Sequence, residues 1–294
     1  MSEQAGWDIV SGVGLTALGA AATRAIEGHH SAPLVRDPYA AAFVQAAAGQ
    51  LPSPMATTPE EAAADADFPW FAMAHHVAVR SRFFDGFFRA ATAEGGIRQA
   101  VILAAGLDTR AFRLDWPSGT TVYEIDAPLV IAFKDSVLRD RGAAARCDRR
   151  TVTIDLRDDW PAVLREAGFD PASPTAWLAE GLFTYLTDEA IHALLSRVHE
   201  LSAPGSRIAI EHVPIGASTL SDTAAQAVRS RAGEETAAMW VTEQRHDSAI
   251  WLRGHGWIVV VDPMPAVAES YGRPVTGTPL STLRSALFIS GHMG

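Results

Sequence analysis

One carboxylate in this sequence of 294 residues stands inside an apolar stretch, which makes it the first candidate for chemistry. Glu180 lies in the run Ala-Trp-Leu-Ala-Glu-Gly-Leu-Phe at positions 176–183. Burying an unpaired carboxylate costs several kcal/mol, so the group needs a cation or several hydrogen-bond donors beside it. Few cationic residues lie near Glu180 in the sequence, although a protein partner stays open. A ligand ammonium or sulfonium would also satisfy it.

Further candidates follow three β-branched runs that are typical of strands. Gly106 follows the first run, and Asp108 stands two residues later. Asp126 ends the second run, 20 residues after Gly106, the spacing at which an acid hydrogen-bonds a ribose diol in nucleotide-binding folds. Asp155 and Leu156 end the third run. A carboxylate at that point can pair with an adenine amino group while the leucine covers the ring.

Each position also has an ordinary structural interpretation. Gly106 could mark a simple strand-to-helix turn, and Asp126 could cap the helix after it. Asp155, with Asp158 and Asp159, could cap the next helix and complement its dipole. The order of the positions is more specific than any one of them. A glycine, an acid, an Asp-Leu pair and a glutamate after four successive strands predict a nucleoside pocket for S-adenosylmethionine.

The loop at Gly106 argues against a dinucleotide. Ala104 occupies the first glycine position of the G-x-G-x-x-G loop, whose glycines bring backbone N–H groups against a pyrophosphate. A nicotinamide-dependent oxidoreductase is therefore an alternative only. A nucleoside-binding regulatory protein without turnover is another.

These candidates need a parallel sheet, because ligands bind beyond the carboxyl ends of its strands. Strand-like and helix-like segments alternate after residue 98, as in sheets covered on both faces. The predicted strands are 99–105, 120–126, 150–156, 175–181, 207–213, 257–262 and 285–290. The helices between them are 127–141, 160–167 and 187–201, with no full helix predicted between the last two strands.

The first part of the chain is predicted to be helical. Its helices span about 7–25, a segment from Tyr39, and 69–93. Asp37 is the expected N-cap of the second helix, with Pro38 at its first position. The sequence therefore predicts a helical N-terminal cap over 1–97 and a ligand-binding domain over 98–294, with an insertion at 214–252, all in one compact unit.

Composition excludes several functions. The net charge of −10 disfavours nucleic acid, and no apolar run reaches the roughly 18 residues of a membrane helix. No basic residue precedes the apolar stretch 13–22, so we expect no signal peptide and a cytoplasmic protein. The lone Cys147 and the histidine spacing predict no metal site. Lys134 is the single lysine and so the sole candidate for an ammonium catalyst.

Segments 101–114, 123–126 and 179–182 resemble the leucine carboxyl methyltransferase family, in particular its bacterial branch of S-adenosylmethionine-dependent methyltransferases. Residues 7–8 and 78–85 are similar to that branch as well. The resemblance implies a class I methyltransferase fold. This is an α/β, Rossmann-like sheet of seven mostly parallel strands, the last one antiparallel, under a helical N-terminal cap. Its cofactor is S-adenosyl-L-methionine.

The resemblance also implies roles for individual residues. The implied cofactor-binding residues are Arg80, Gly106, Asp108, Asp126, Asp155, Leu156 and Glu180. Arg80 would meet the methionine carboxylate of the cofactor or an acceptor carboxylate, and Gly106 would pass under the methionine part. Asp126 would hold the ribose, Asp155 and Leu156 the adenine, and Glu180 the region near the reacting centre. Tyr185 matches an aromatic position that faces the acceptor, although a contact ahead of the helix at Thr187 is its structural alternative.

The expected reaction is O-methylation of a carboxylate on a small molecule. A carboxylate is ionised at pH 7 and needs no general base, and Arg80 or Arg110 could grip it with two parallel hydrogen bonds. Methylation of a phenol, amine or indole carbon is the alternative, and it would use Tyr185, His212 or His246. The apolar N-terminal helices offer a face through which two copies could form a homodimer.

Overall fold

A seven-stranded sheet lies at the centre of the structure, a computed structural model that describes residues 9–10, 12–213, 247–275 and 284–294. The strands are β1 (Gln99–Leu103), β2 (Thr121–Asp126), β3 (Asp148–Thr153), β4 (Thr175–Ala179), β5 (Arg207–His212), β6 (Trp257–Pro263) and β7 (Leu287–Met293). Their order is β3-β2-β1-β4-β5-β7-β6. The first five are parallel, and β7 is antiparallel to both neighbours. The predicted sheet is confirmed.

The central strands are apolar because helices cover both faces of the sheet. Every residue of β1 and β4 is buried, as is typical of parallel strands in such a layer. Leu103 at the end of β1 pairs with Ile125 of β2 and Ala179 of β4, so these strands end at the same level. The strand order reverses between β1 and β4, and ligands of open α/β sheets bind at such a reversal.

Helices precede the sheet and connect its strands. In the described residues they are α1 (Gly12–Gly28), α2 (Ala40–Ala47), α3 (Pro59–Ala64), α4 (Trp70–Arg89), α5 (Arg110–Arg113), α6 (Pro128–Asp140), α7 (Trp160–Glu166), α8 (Asp188–Glu200), α9 (Ser248–Gly254) and α10 (Met264–Ser270). A π-helical turn, Ala90–Glu94, extends α4. The sequence predicts no full helix between the last two strands, whereas the structure has the seven-residue α10 there. Its proline suits the first helical turn, where the N–H would have no partner.

The N-terminal helices pack over the carboxyl edge of the sheet. A Cβ placed on Gly106 would lie 3.4 Å from the Cβ of Ala17 on α1, so α1 approaches the loop after β1. Arg24 of α1 also donates from Nη2 to the carbonyl oxygen of Leu107 at 2.8 Å. These contacts make α1 one wall of the space above the strand ends.

Asp37 has a different role from the one predicted. Helix α2 begins at Ala40 with Tyr39 as its N-cap, so Asp37 is not the cap. Its Oδ2 accepts hydrogen bonds from Nε of Arg24 at 2.8 Å and from Oγ1 of Thr109 at 2.9 Å. Oδ1 of Asp37 accepts a hydrogen bond from the N–H of Tyr39 at 3.0 Å, so one carboxylate joins α1, the loop after β1 and the residue before α2.

Some sequence predictions fall partly outside the described residues. The insertion predicted at 214–252 is described only from residue 247, where Asp247 caps α9 by accepting a hydrogen bond from the N–H of Ala249. His246 and residues 7–8 lie outside. None of the helices in the described ranges is both long enough and apolar enough to cross a membrane. Those ranges also contain no cluster of three or more His, Cys, Asp or Glu side chains that could hold a metal ion.

Candidate functional site

A cavity of about 800 Å³ lies at the carboxyl edge of β1 to β5, between the strand ends and the helices α1, α4 and α8. Small-molecule sites in proteins typically have volumes of about 300–1,000 Å³. The structure brings all eight residues singled out from the sequence to the wall of this one cavity: Arg80, Gly106, Asp108, Asp126, Asp155, Leu156, Glu180 and Tyr185.

Backbone N–H groups hold Asp126 at the end of β2. Its Oδ2 accepts a hydrogen bond from the N–H of Gly106 at 2.6 Å, and its Oδ1 accepts one from the N–H of Ala127 at 2.7 Å. Burial raises the pKa of Asp126, while these two N–H donors act in the opposite direction. Each carboxylate oxygen keeps a second lone pair that could bind a diol. Because α6 has no side-chain cap, the capping interpretation of Asp126 is wrong.

The loop after β1 turns sharply enough to present a backbone N–H to Asp126. Gly106 has a φ of +47° and Ala104 a φ of +51°. Glycine adopts this left-handed conformation without penalty, whereas an alanine there is strained by roughly 1–2 kcal/mol. Ala104 therefore stores strain in the loop, at the position where a dinucleotide-binding loop would have its first glycine.

The end of β3 carries a local ion pair. Oδ2 of Asp155 lies 2.6 Å from Nη2 of Arg157, whose side chain is 71% exposed, and Oδ1 accepts a hydrogen bond from the N–H of Arg157 at 2.8 Å. Leu156 is half-buried beside it. Helix α7 has Asp159 at its N-cap without a side-chain hydrogen bond, so the predicted capping role of these acids is wrong.

A continuous set of ion pairs forms the other side of the cavity. We call it the charge chain, and its members are His76, Arg80, Asp85, Asp108, Arg110, Arg113, Glu180 and Glu211. Glu180 is central: Oε1 lies 2.7 Å from Nε of Arg80, and Oε2 lies 2.7 Å from Nη1 of Arg110. Protein side chains therefore supply the positive charge beside Glu180 that a ligand ammonium or sulfonium could also have supplied. Neither cation is close to Glu180 in the sequence, because Arg80 lies on α4 and Arg110 begins α5.

Glu211 on β5 joins the charge chain to α4. Its side chain is 1% exposed, Oε1 lies 2.8 Å from Nε2 of His76, and Oε2 accepts hydrogen bonds from Nη1 of Arg80 at 3.0 Å and from the N–H of Gly181 at 2.9 Å. Burial alone would raise the pKa of Glu211. The charge of Arg80 and the hydrogen bonds from His76 and Gly181 outweigh burial and lower this pKa to about 2.

Arg110 has no nitrogen left for a ligand. Nε pairs with Asp85 at 2.7 Å, Nη1 pairs with Asp108 and Glu180, and Nη2 donates to the carbonyl of Ser81 at 3.5 Å. Burial acts to raise the pKa of Asp108, but the guanidinium of Arg110 dominates and lowers it to about 2. The expectation that Arg110 grips an acceptor carboxylate is therefore wrong.

Arg80 keeps one nitrogen. Nε faces Glu180 and Nη1 faces Glu211, whereas Nη2 has no hydrogen-bond partner in the described part of the chain. Two parallel hydrogen bonds from Arg80 to a ligand carboxylate would need two adjacent nitrogens. The expected two-point grip by Arg80 alone is therefore not available in this arrangement, although a contact through Nη2 is.

The remaining candidates have clear positions. Tyr185 ends the 3₁₀ turn Phe183–Tyr185 and is half-buried on the cavity wall. Thr187 caps α8 by accepting a hydrogen bond from the N–H of Ala190 at 3.3 Å. Lys134 is fully buried and lies 2.8 Å from Oε2 of Glu124. It is part of a buried ion pair, and it does not line the cavity.

Sequence reasoning missed four members of the charge chain: His76, Asp85, Arg113 and Glu211. The signal for Glu211 was present, because it stands in an apolar strand as Glu180 does. The signal for His76 was its spacing of four residues from Arg80, which places both on one face of a helix. No local pattern marks Asp85.

Known proteins with similar sequences align with this chain over most of its length. A family model described as leucine carboxyl methyltransferase matches residues 17–199. A protein of Saccharopolyspora erythraea named "Putative S-adenosyl-L-methionine-dependent methyltransferase" is 48% identical over 276 residues, covering 94% of each chain. A Rhodococcus jostii protein of the same description is 47% identical over 277 residues, 93% of this chain and 92% of its own.

Two solved structures resemble the fold. A protein of Thermobifida fusca described as a putative methyltransferase gives a TM-score of 0.52 at 20% identity, with 86% of this chain and 94% of the other covered. A duf574 family protein of Streptomyces avermitilis gives a TM-score of 0.55 at 16% identity, with 86% and 96% covered. Together with the strand order, these similarities confirm the predicted class I methyltransferase fold.

Proposed function

The chain belongs to the leucine carboxyl methyltransferase family and is an S-adenosyl-L-methionine-dependent methyltransferase, and from this premise we propose that it methylates a carboxylate oxygen of a small molecule. The cofactor supplies a methyl group that is already activated on a sulfonium. The protein therefore has to align donor and acceptor, and alignment can contribute about 7–11 kcal/mol in well-oriented systems.

The cofactor fits the residues of the cavity wall. Asp126 is fixed by two backbone N–H groups and keeps lone pairs for a ribose diol. Leu156 is a half-buried apolar side chain suited to an adenine ring, with Asp155 beside it for the exocyclic amine. In this proposal Gly106 and Asp108 border the methionine part. Asp108 does so through the loop that it shares with Arg110, since both of its oxygens already contact that residue.

One observation carries the carboxylate assignment: Arg80 keeps an unshared guanidinium nitrogen on the wall of a cavity whose lining is otherwise largely apolar. The apolar lining includes Met55, Phe68, Met73 and Val213. A carboxylate needs such a cation to leave water, and it needs no base because it is ionised at pH 7. Glu180 in this proposal holds Arg80 in place near the reacting centre.

Tyr185 is the residue that we place against the acceptor. It lies on the cavity wall at the end of β4, where Glu180 and Gly181 begin the same loop. A phenol ring there can pack on an acceptor and orient it, and this role requires no change in the protonation of the tyrosine. Tyr185→Phe should therefore keep most of the activity, whereas Tyr185→Ala should lose more.

The carboxylate assignment is tested with matched acceptors. Purified enzyme with labelled cofactor is offered 4-butylbenzoate, 4-butylphenol and 4-butylaniline, and then aliphatic and indole acids. We expect base-labile methyl esters from acids only, with a rate independent of pH between 6 and 9. Transfer to the phenol with a log-rate that rises with slope one over that range would overturn the assignment. Arg80→Met should raise the KM for the acid about 10- to 100-fold, since a charged hydrogen bond contributes about 1.5–3 kcal/mol.

Two further expectations stay predictions: a cytoplasmic location, and a homodimer formed through the N-terminal helices. Light scattering of the purified chain tests the second. The division at residue 97 into a helical cap and a methyltransferase domain is likewise a proposal. Expression of residues 98–294 alone tests it, because a cap that forms part of the core should leave that fragment insoluble.

A further inference from the structure

His76 has a ring nitrogen without a partner at the cavity wall. The residue lies on α4, is 3% exposed and lines the cavity. Nε2 lies 2.8 Å from Oε1 of Glu211. Nδ1 is buried and has no hydrogen-bond partner among the described residues. Buried polar atoms are nearly always hydrogen-bonded, so an exception beside a cavity points to a ligand atom that completes the bond.

The partner at Nε2 limits what Nδ1 can do. An ionised carboxylate accepts hydrogen bonds but donates none, so Nε2 must carry a proton to bind Glu211. In the neutral ring, Nδ1 is then an acceptor that lacks a donor. In the charged ring, it is a donor that lacks an acceptor. Either state leaves one hydrogen bond for a ligand to make.

Nη2 of Arg80 is a second polar atom on the cavity wall without a hydrogen-bond partner in the described residues. It stands one helical turn after His76 on α4, and residues four apart lie on one face of a helix. Glu211 binds both side chains, His76 through Oε1 and Arg80 through Oε2. One buried carboxylate therefore fixes two side chains, and each of them keeps a polar atom without a partner: Nδ1 of His76 and Nη2 of Arg80.

The charge chain without His76 carries a net negative charge. The charge chain contains four carboxylates, of Asp85, Asp108, Glu180 and Glu211, and three guanidinium groups, of Arg80, Arg110 and Arg113. Its charge without His76 is therefore −1. A protonated ring at His76 brings the charge chain to neutrality and gives Nδ1 a proton to donate.

We propose that Nδ1 of His76 and Nη2 of Arg80 together bind one carboxylate, with His76 as an imidazolium and Glu211 as the residue that positions both. The carboxylate is that of the methyl acceptor or that at the amino-acid end of the cofactor. The first source rests on the proposed function, whereas the second does not. In both cases the two donors make the pair of hydrogen bonds to the carboxylate that Arg80 alone cannot make.

The first experiment reads the histidine directly and needs no variant. Enzyme labelled with ¹⁵N-histidine is examined by NMR alone, with S-adenosylhomocysteine, and with S-adenosylhomocysteine plus the best carboxylate acceptor. His76 is the one histidine among the described residues of the cavity wall. We expect one histidine to carry protons on both ring nitrogens when the carboxylate binds. A neutral ring in both complexes, or a ring that no ligand perturbs, would overturn the proposal.

The second experiment identifies the source of the carboxylate. His76→Gln retains an amide near the position of Nε2 for Glu211 and removes the group at Nδ1. Calorimetry compares its affinity for S-adenosylhomocysteine with that for 5′-methylthioadenosine, which has no amino-acid end. If the cofactor is the source, His76→Gln weakens the first about 10- to 100-fold and leaves the second unchanged. If the acceptor is the source, both affinities are unchanged and the KM for the acid rises by the same factor while kcat changes little.

Matched variants separate binding from damage to the fold. His75→Gln is the control, because His75 is the neighbour on α4, contacts the carbonyl of Arg273 at 2.8 Å and does not line the cavity. His76→Asn can place its amide near the position of Nδ1 and should recover part of the lost affinity. Normal affinities together with a normal KM in His76→Gln refute the proposal. Weak binding of S-adenosylhomocysteine without methylation of any acid leaves this site standing and refutes the proposed carboxylate acceptor.

Discussion

The two ends of the cavity are built in different ways. At the end formed by β2 and β3, backbone N–H groups or an adjacent arginine hold the polar residues: Ala127 and Gly106 bind Asp126, and Arg157 binds Asp155. At the end formed by β4 and β5, the eight members of the charge chain come from α4, from the loop after β1, from α5 and from the ends of two strands. We refer to these as the adenosine end and the reaction end.

The two ends should differ in how much a substitution lowers the stability of the fold. A carboxylate held by backbone N–H groups can be removed without leaving a charge behind. Removal of one member of a buried ion pair leaves its partner charged and without compensation, which typically costs 3–5 kcal/mol. The reaction end should therefore contribute to the stability of the fold as well as to binding, whereas the adenosine end should contribute mainly to binding.

The largest effect is expected for Glu211→Gln. The substitution removes the charge that compensates Arg80, and the new amide faces donors on His76, Arg80 and Gly181. We expect the free energy of unfolding in urea to fall by about 3–5 kcal/mol. The control is Asp155→Asn at the adenosine end, whose exposed partner Arg157 limits the loss to about 1 kcal/mol or less. Equal losses in the two variants would contradict the distinction between the ends.

The second-largest effect is expected from acid, which should lower the stability contributed by the reaction end. The pKa values of Glu211 and Asp108 are lowered to about 2 in the folded chain, from ordinary values of 4.5 and 3.8. A lowered folded pKa means that the stabilisation is complete above the ordinary value and is lost as the pH falls from about 5 toward 2. The two groups should each contribute roughly 1–3 kcal/mol of this loss.

The pKa of Asp126 is shifted in the opposite direction, and its contribution to stability therefore depends on pH in the opposite way. Burial raises its pKa in the folded chain, so its contribution to stability is greatest at low pH and falls as the pH rises through that raised value.

Urea titrations at pH 7, 5, 4 and 3 should show a decline in wild type that is shallower in Glu211→Gln. A parallel decline in the two proteins would show that Glu211 does not carry the acid sensitivity.

Asp126→Ala should produce the main effect at the adenosine end. The loss of a charged acceptor for the ribose should weaken S-adenosylhomocysteine about 10- to 100-fold, and 5′-methylthioadenosine by the same factor because it has the same ribose. Unfolding in urea should change much less than in Glu211→Gln. Asp159→Ala is the matched control, since Asp159 is exposed and does not line the cavity. A loss confined to S-adenosylhomocysteine would place Asp126 at the amino-acid end instead.

The same contrast explains what could be predicted from the sequence. The strands and the residues at their ends were predictable, because Asp126, Asp155 and Glu180 end or follow runs whose composition indicates strands. The partners of Glu180 were not, because they stand 70 and 100 positions away in the chain, and only the packing of α4 against the strand ends brings Arg80 there.

Local competition explains the smaller errors. Asp37-Pro38 has the pattern of a helix start, but α2 begins at Ala40, and the carboxylate of Asp37 binds Arg24 through Oδ2 and the N–H of Tyr39 through Oδ1. The helix between β6 and β7 has only seven residues, too few for a helical period to be visible in the sequence. In both places a tertiary contact or a short element overrides a propensity that is weak by nature.

The smallest effect is expected in the loop between the two ends. Ala104 has a φ of +51°, a conformation that strains alanine by roughly 1–2 kcal/mol and glycine hardly at all. Ala104→Gly relieves this strain, but it adds about 0.4–1 kcal/mol of conformational entropy to the unfolded chain. We expect a net gain in unfolding free energy of about 1 kcal/mol or less, measured in urea, with unchanged affinity for S-adenosylhomocysteine. Gly106→Ala, which introduces a strained alanine two residues later at a φ of +47°, should shift stability in the opposite direction. If Ala104→Gly loosened cofactor binding as well, the strain would belong to the construction of the adenosine end rather than to the turn alone.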